Sequence, residues 1–412
     1  MKNIKEQRSF SVLIIFMIML VSPLFQGCEK DDDPSTAVPE ISYVRLTDPA
    51  KSDSLLVSAY LGNNIALMGN NLLEVKEIYF NDQEAIINTS YVTNSTIIIT
   101  VPSTIPTVVT DSITMITYSG IKSQFPFKVL VPAPQVDALY CEYVAEGQDA
   151  VVLGDFFIDD PNKPLEVIFP GNIKGVVKSV SINSIVVTVP AGAGIGPISV
   201  KSLYGTTRSA FYFRDDRNII LNYNDLNSSG SWRSGTIKND GNSLDQNYLM
   251  LKGEQDDNAG AEDYPGGGYV SELWGDANGR PEGNLLPGPI NEYMFKFEAN
   301  VIEWTGSYLN ICWGPWAASV GGAQNQIYWS NLNARGLWRA WEETPNGSFK
   351  TNGWMTVTIP MADMKYNKDF GAMEFDINNC GSLTFWMKGP AATTGGKSKI
   401  EIYIDNVRIV HK

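Results

Sequence analysis

The sequence is short of the residues on which most enzyme chemistry draws. It holds a single histidine, His411, so a histidine-based catalytic triad, a multi-histidine metal site and a zinc-protease motif are excluded. Its four cysteines are Cys28, Cys141, Cys312 and Cys380, and no two stand at the close spacing of a metal clip. With Cys28 set aside, the remaining three cannot all pair; a bridge between Cys312 and Cys380 is open, but separate buried thiols are the expectation. No metal and no cofactor is implied. Charge is also scarce, at 18% of the chain, and biased, with a net −14 at pH 7. That balance argues against nucleic acid and against an anionic membrane face, both of which need basic patches. Gly, Ser, Thr and Asn are abundant instead, a surface better suited to a neutral, hydroxyl-rich ligand.

Tryptophan is missing from the first 231 residues, and all ten lie between Trp232 and Trp386. This side chain is large, rigid and amphipathic, so such a bias marks a stacking surface, an aromatic core, or both. The C-terminal half is where function is expected.

The N-terminus carries Lys2, Lys5 and Arg8 before an apolar stretch from Val12 to Val21, too short for an ordinary membrane-spanning helix but suited to a secretory signal. It ends at Leu24-Phe25-Gln26-Gly27-Cys28, which resembles a bacterial lipoprotein cleavage site, with Phe25 and Gln26 bulkier than a strict site prefers. Residues 1–27 read as the signal peptide and Cys28 as the lipid attachment point. Residues 28–36 form an acidic tether, whose Glu29-Lys30-Asp31-Asp32-Asp33 resembles the export tag of Bacteroidetes surface lipoproteins. The resemblance implies an outer-membrane, lipid-anchored protein facing the extracellular side.

Beyond Pro39 the chain falls into brief alternating runs of β-branched residues separated by Gly, Asn, Asp and Pro, with no convincing amphipathic helix. Two segments repeat. Gly62-Asn-Asn-Ile-Ala-Leu-Met-Gly69 matches Gly147-Gln-Asp-Ala-Val-Val-Leu-Gly154, and Ser95-Thr-Ile-Ile-Ile-Thr-Val-Pro102 matches Asn183-Ser-Ile-Val-Val-Thr-Val-Pro190. The second copy is lengthened around Asp159–Pro164. Each copy is the size of a small sandwich and resembles the IPT/TIG immunoglobulin-like domain. The expected domains are therefore residues 37–131 and 132–214, joined by Pro132-Ala-Pro134 and serving as spacers.

Residues 215–412 are longer and aromatic-rich, with Gly/Asn loops at Asp256–Gly268 and Gly275–Gly288 and alternating strands at Tyr293–Phe297, Trp354–Ile359, Leu383–Met387 and Ile400–Ile404. A jelly-roll-like β-sandwich is expected here, so that the whole chain is all-β. The signal, the tandem TIG domains and the tryptophan-rich end together resemble the second, non-SusD-like surface glycan-binding protein of Bacteroidetes polysaccharide-utilisation loci. The local features are Trp313-Gly-Pro-Trp316, Gly353-Trp354-Met-Thr-Val-Thr-Ile-Pro360 and Asp405-Asn406. The resemblance implies non-catalytic capture of a β-glucan such as xyloglucan or mixed-linkage glucan. A TonB-dependent transporter and a SusD-like protein would be its partners.

Indole and phenol rings stack on the C–H faces of a glucan ribbon while polar neighbours bond its hydroxyls. In Leu309-Asn-Ile311-Cys-Trp313 the alternate residues share one face, which makes Trp313 core. Trp274, Trp316, Tyr328, Trp329 and Trp338 are the expected platform, with Trp341 next and Trp386 weaker. Arg335, Arg339, Gln326 and Asn331 are candidate hydrogen-bonding neighbours, and Trp354 reads as a structural residue at a sheet edge. Two alternatives stand beside this reading. A glycoside hydrolase would need two opposed carboxylates, for which Glu292, Glu303, Glu342, Glu374 and Asp376 are available without a recognisable motif. An adhesin would use the aromatic patch on a protein partner.

Overall fold

The computed structural model describes residues 37–161, 163–226, 236–255, 270–273, 283–316, 329–389 and 397–412. Its regular structure is β-strand with short 3₁₀ turns, so the fold is all-β. Residues Met1–Val131 and Pro132–Lys412 form two compact units.

In the first unit, a sheet ordered Glu40–Leu46, Asn64–Asn70, Thr96–Thr100 faces a second ordered Gln83–Ala85, Val75–Phe80, Ser112–Thr117, Lys122–Pro126. Strict alternation in the sequence becomes strict alternation in burial. In Ser112–Thr117 every second residue, Ile113, Met115 and Thr117, is buried. The inward set, including Val44, Ile65, Leu67, Ile78, Phe80, Ile97 and Phe127, fills one apolar cluster.

The second unit opens with the same plan. Gln135–Leu139, Asp149–Asp155, Ser184–Thr188 and Val176–Ser181 make one sheet; Ile173–Lys174, Glu166–Phe169, Ser199–Ser202 and Gly205–Arg208 make the other. Val152, Val167, Phe169, Ile185, Val187 and Phe213 fill its own cluster.

The repeated glycines now have a cause. Gly62 and Gly147 both turn with positive φ, +76° and +77°, and donate to the carbonyls of Val101 and Val189 at 2.9 Å, the residue before each repeated proline. Gly69 and Gly154 face the β-bulges of the first strands. A Cβ there would lie 1.8 Å from the Glu40 carbonyl oxygen and 1.9 Å from that of Gln135. Only glycine admits so close a backbone.

The remainder of the second unit is a larger two-sheet sandwich. One sheet runs Thr236–Lys238, Tyr248–Gln255, Ser398–His411, Tyr293–Trp304, Met355–Pro360, with Ile219–Leu221 also paired to Ser398–His411. The facing sheet runs Val270–Leu273, Ser382–Lys388, Tyr308–Gly314, Gly336–Trp338. Phe295, Phe297, Leu309, Ile311, Trp313, Phe385, Ile402 and Ile404 meet between them. Cys141, Cys312 and Cys380 are separate buried thiols, as expected.

Candidate functional site

The two outer faces of the larger sandwich differ in what covers them. The outer face of the first sheet rests on the preceding sandwich through a buried charge cluster. Lys296 Nζ lies 2.6 Å from Glu142, and Arg408 Nη2 lies 2.6 Å from Glu142 and 2.8 Å from Glu298. Thr356 adds bonds from its backbone to the Tyr140 carbonyl and from its hydroxyl to Glu298, at 2.8 and 2.7 Å. Burial raises the Glu298 carboxyl in spite of Arg408, and burial, then Asp245 and Glu298, drive Asp405 up to about 9. These are the strongly perturbed acids of the domain, and they lie in packing rather than in a cleft.

The outer face of the second sheet carries the candidate site. Alternation along Ser382–Lys388 sends Leu383, Phe385 and Met387 inward and Thr384, Trp386 and Lys388 outward. Trp386 stands edge-on to Trp329, with ring centroids 4.9 Å apart at 63°. The Lys388 ammonium lies 5.0 Å from the Trp386 ring and 5.2 Å from the Trp329 ring, and the Arg335 guanidinium lies 5.8 Å from Trp386. Such distances are those of cation–π contacts. Burial, reinforced by Arg335, lowers the Lys388 pKa.

The floor is fixed by Asn310. Its amide donates to the carbonyls of Trp386 and Lys388 at 3.1 and 3.0 Å, while its oxygen accepts from Arg335 Nη1 at 3.4 Å. On the same face of the sheet, Tyr308 donates to Glu342 and sits against Phe370 at 5.2 Å, with the Arg339 guanidinium 5.6 Å from its ring. Asn331 is exposed and accepts from the Lys368 backbone at 2.8 Å. A half-buried indole beside a desolvated ammonium can stack a sugar ring and bond its hydroxyls at once.

The candidate residues divide sharply. Trp329 is half-buried at this face, held edge-on to Trp386. Trp316 is half-buried, its backbone against Gly381, and its buried indole nitrogen has no partner among the described residues. Trp338, expected on the platform, turns to the interior. It pairs with Leu309, an inward residue, and its ring lies 5.3 Å from Phe297 and 4.8 Å from Trp304. Trp341 and Trp386 are fully buried, as is Arg335, which acts beneath the surface rather than on it. Arg339 is exposed. Trp274, Tyr328, Gln326 and Cys28 lie outside the described residues. Trp354 is half-buried at its sheet edge and donates to the Asn242 carbonyl at 2.8 Å.

The carboxylates weighed for hydrolysis are dispersed. Glu292 faces His411 at 3.7 Å, Glu303 faces Lys399 at 3.8 Å, and Asp376 caps its own 3₁₀ turn.

Residues 213–411 match the surface glycan-binding protein B xyloglucan binding domain. Over its whole length the chain is similar to the crystal structure of the surface glycan-binding protein PbSGBP-B from Prevotella bryantii. The two share 27% identity and a TM-score of 0.73, over 92% of this chain and 99% of that one. An SGBP-B from a complex xyloglucan utilization locus in Bacteroides uniformis matches at 19% identity and a TM-score of 0.45, over 91% of this chain and 100% of that one. A Bacteroides ovatus IPT/TIG domain-containing protein is 32% identical over 165 residues, 39% of this chain. The match spans 33% of that relative's length. The matched residues begin two positions before Asp215, where the aromatic-rich segment starts in the sequence reading.

Proposed function

We propose that the chain is a non-catalytic surface lipoprotein that captures a neutral β-glucan, with xyloglucan or mixed-linkage glucan as the ligand class. The observation that carries this is the outer face built from Trp329, Trp386 and Lys388, on the domain assigned to the glycan-binding family. Trp329, half-buried and edge-on to the buried Trp386, offers an apolar ring, and Lys388 and Arg339 offer donors. The segments 37–131 and 132–214 act as spacers, Cys28 as the lipid anchor, and the outer surface of the outer membrane as the location. Capture precedes uptake through a TonB-dependent transporter working with a SusD-like protein. Weak binding by each chain is multiplied by many anchored copies on one polymer.

Affinity gel electrophoresis of the purified protein tests the reading, in gels containing xyloglucan, barley β-glucan, mannan, xylan or no polysaccharide. Retardation in a β-glucan gel, sharply weakened in Trp329→Ala, is expected. Equal mobility in every gel would overturn glycan binding and bring the protein-partner reading forward. A polysaccharide shortened on incubation would overturn the non-catalytic assignment.

A further inference from the structure

A second concave site lies where the strand-end Tyr140–Tyr143 of the second repeat meets the turn Asn352–Trp354 of the larger sandwich. The cleft measures about 680 Å³, within the range of about 300–1,000 Å³ typical of small-ligand sites. Its aromatic walls are Tyr140, Tyr143 and Trp354, each half-buried.

All three rings are held in place by bonds within the protein. Tyr140 accepts from the Thr356 backbone at its carbonyl, 2.8 Å, and from the Asn352 backbone at its phenol oxygen, 3.3 Å. Tyr143 donates to the Asp215 carbonyl and lies under the Arg408 guanidinium, 5.1 Å from its ring. Trp354 is oriented by its bond to Asn242 and by an edge contact with Tyr248 at 5.9 Å. A site whose walls are fixed before the ligand arrives avoids the ordering cost of binding.

The polar rim is of a different kind. Gln148 and Asn352 are exposed, and neither side-chain amide has a partner among the described residues. Asp149, the nearest rim acid, is already engaged by Lys178 at 2.9 Å and Thr188 at 2.8 Å. The cleft therefore offers stacking rings and two amides that both donate and accept, with no free charge. Adjacent hydroxyls on a pyranose ring are the natural complement of an amide.

We infer that this cleft is a second glycan-binding site, taking a further segment of the same neutral polysaccharide that the outer face captures. The inference rests on the glycan-binding reading above. One chain would then hold a polymer at two points, and effective concentration would strengthen the hold.

The test is quantitative affinity electrophoresis of the purified protein in the polysaccharide that retards it most. Four proteins are compared: wild type, Gln148→Ala/Asn352→Ala, Trp329→Ala, and the triple variant. Both amides are exposed and unpaired, so the double variant keeps the wild-type melting temperature. Two hydrogen bonds at about 0.5–1.5 kcal/mol each predict affinity weakened about 5–10-fold or more. Residual retardation in Trp329→Ala is expected to vanish in the triple variant. An unchanged affinity of the double variant, in both the wild-type and Trp329→Ala backgrounds, overturns the second site and leaves the outer face intact. Wild type unretarded in every polysaccharide overturns the glycan-binding reading and this inference with it.

Discussion

Arg408, near the end of the last strand, donates to Glu142 of the preceding repeat at 2.6 Å, across 266 positions of sequence. Both side chains are buried, at 0% and 3% exposure. Arg408 also reaches Glu298, so one guanidinium answers two carboxylates. Arg408→Met leaves Glu298 without a cation in an apolar setting and Glu142 with Lys296 alone. Removing one partner of a buried pair costs about 3–5 kcal/mol, and chemical unfolding should show a loss of that size. Glu142→Gln, which keeps shape and hydrogen bonding, should cost less.

Asp405 supplies a pH dependence of definite sign. Burial raises its folded-state pKa to about 9 from an ordinary 3.8. Below pH 4 both states carry the proton and the group contributes nothing. Between that pH and about 9 the unfolded chain releases the proton while the folded chain keeps it, so stability falls as pH rises. Asp405→Asn removes the slope. Melting temperature followed from pH 5 to 9 should fall more steeply for wild type than for the variant, and the variant should melt higher at pH 8. Parallel curves would refute the assignment.

The bulge glycines predict a matched pair of failures. Gly69→Ala and Gly154→Ala each drive a methyl into a backbone carbonyl, at 1.8 and 1.9 Å. Overpacking of this kind costs about 1–3 kcal/mol, with the upper end expected because backbone must move. Urea midpoints of the two variants should both drop, whereas glycan retardation at low denaturant should persist.

Trp329 and Trp338 should separate binding from stability. Trp338 lies among Phe297, Trp304 and Phe349, so Trp338→Ala should lower stability by about 3–5 kcal/mol. Trp329→Ala should leave the melting temperature nearly in place and sharply weaken retardation in the β-glucan gel. The reverse pattern, measured by thermal melting and gel mobility together, would move the binding face elsewhere.

Much of the fold is legible in the residues because each strand carries its own alternation. The strands around Tyr293–Phe297, Leu383–Met387 and Ile400–Ile404 appear longer than read, and the one read at Trp354–Ile359 runs Met355–Pro360. Trp313 is in the core for the reason its neighbours give. Alternation also places Trp386 on one face with Thr384 and Lys388, but cannot reveal that Trp329 and Arg335 cover that face. Trp338 needed the pairing partner: only opposite Leu309 does its direction become fixed. The charge cluster left a faint signal, Lys296 and Glu298 alternating with Phe295 and Phe297 in a strand that should otherwise be plain. Its partner Glu142 lies in another repeat, and no local pattern connects them.

The strand Ser398–His411 lies between Tyr248–Gln255 and Tyr293–Trp304 and also pairs with Ile219–Leu221. The central rung of that sheet is thus the last piece of it to emerge during synthesis. Until residue 411 is free, its neighbours present unsatisfied edges, and the sandwich stays open. The order of the chain therefore leaves this domain unlocked until its last strand has been made.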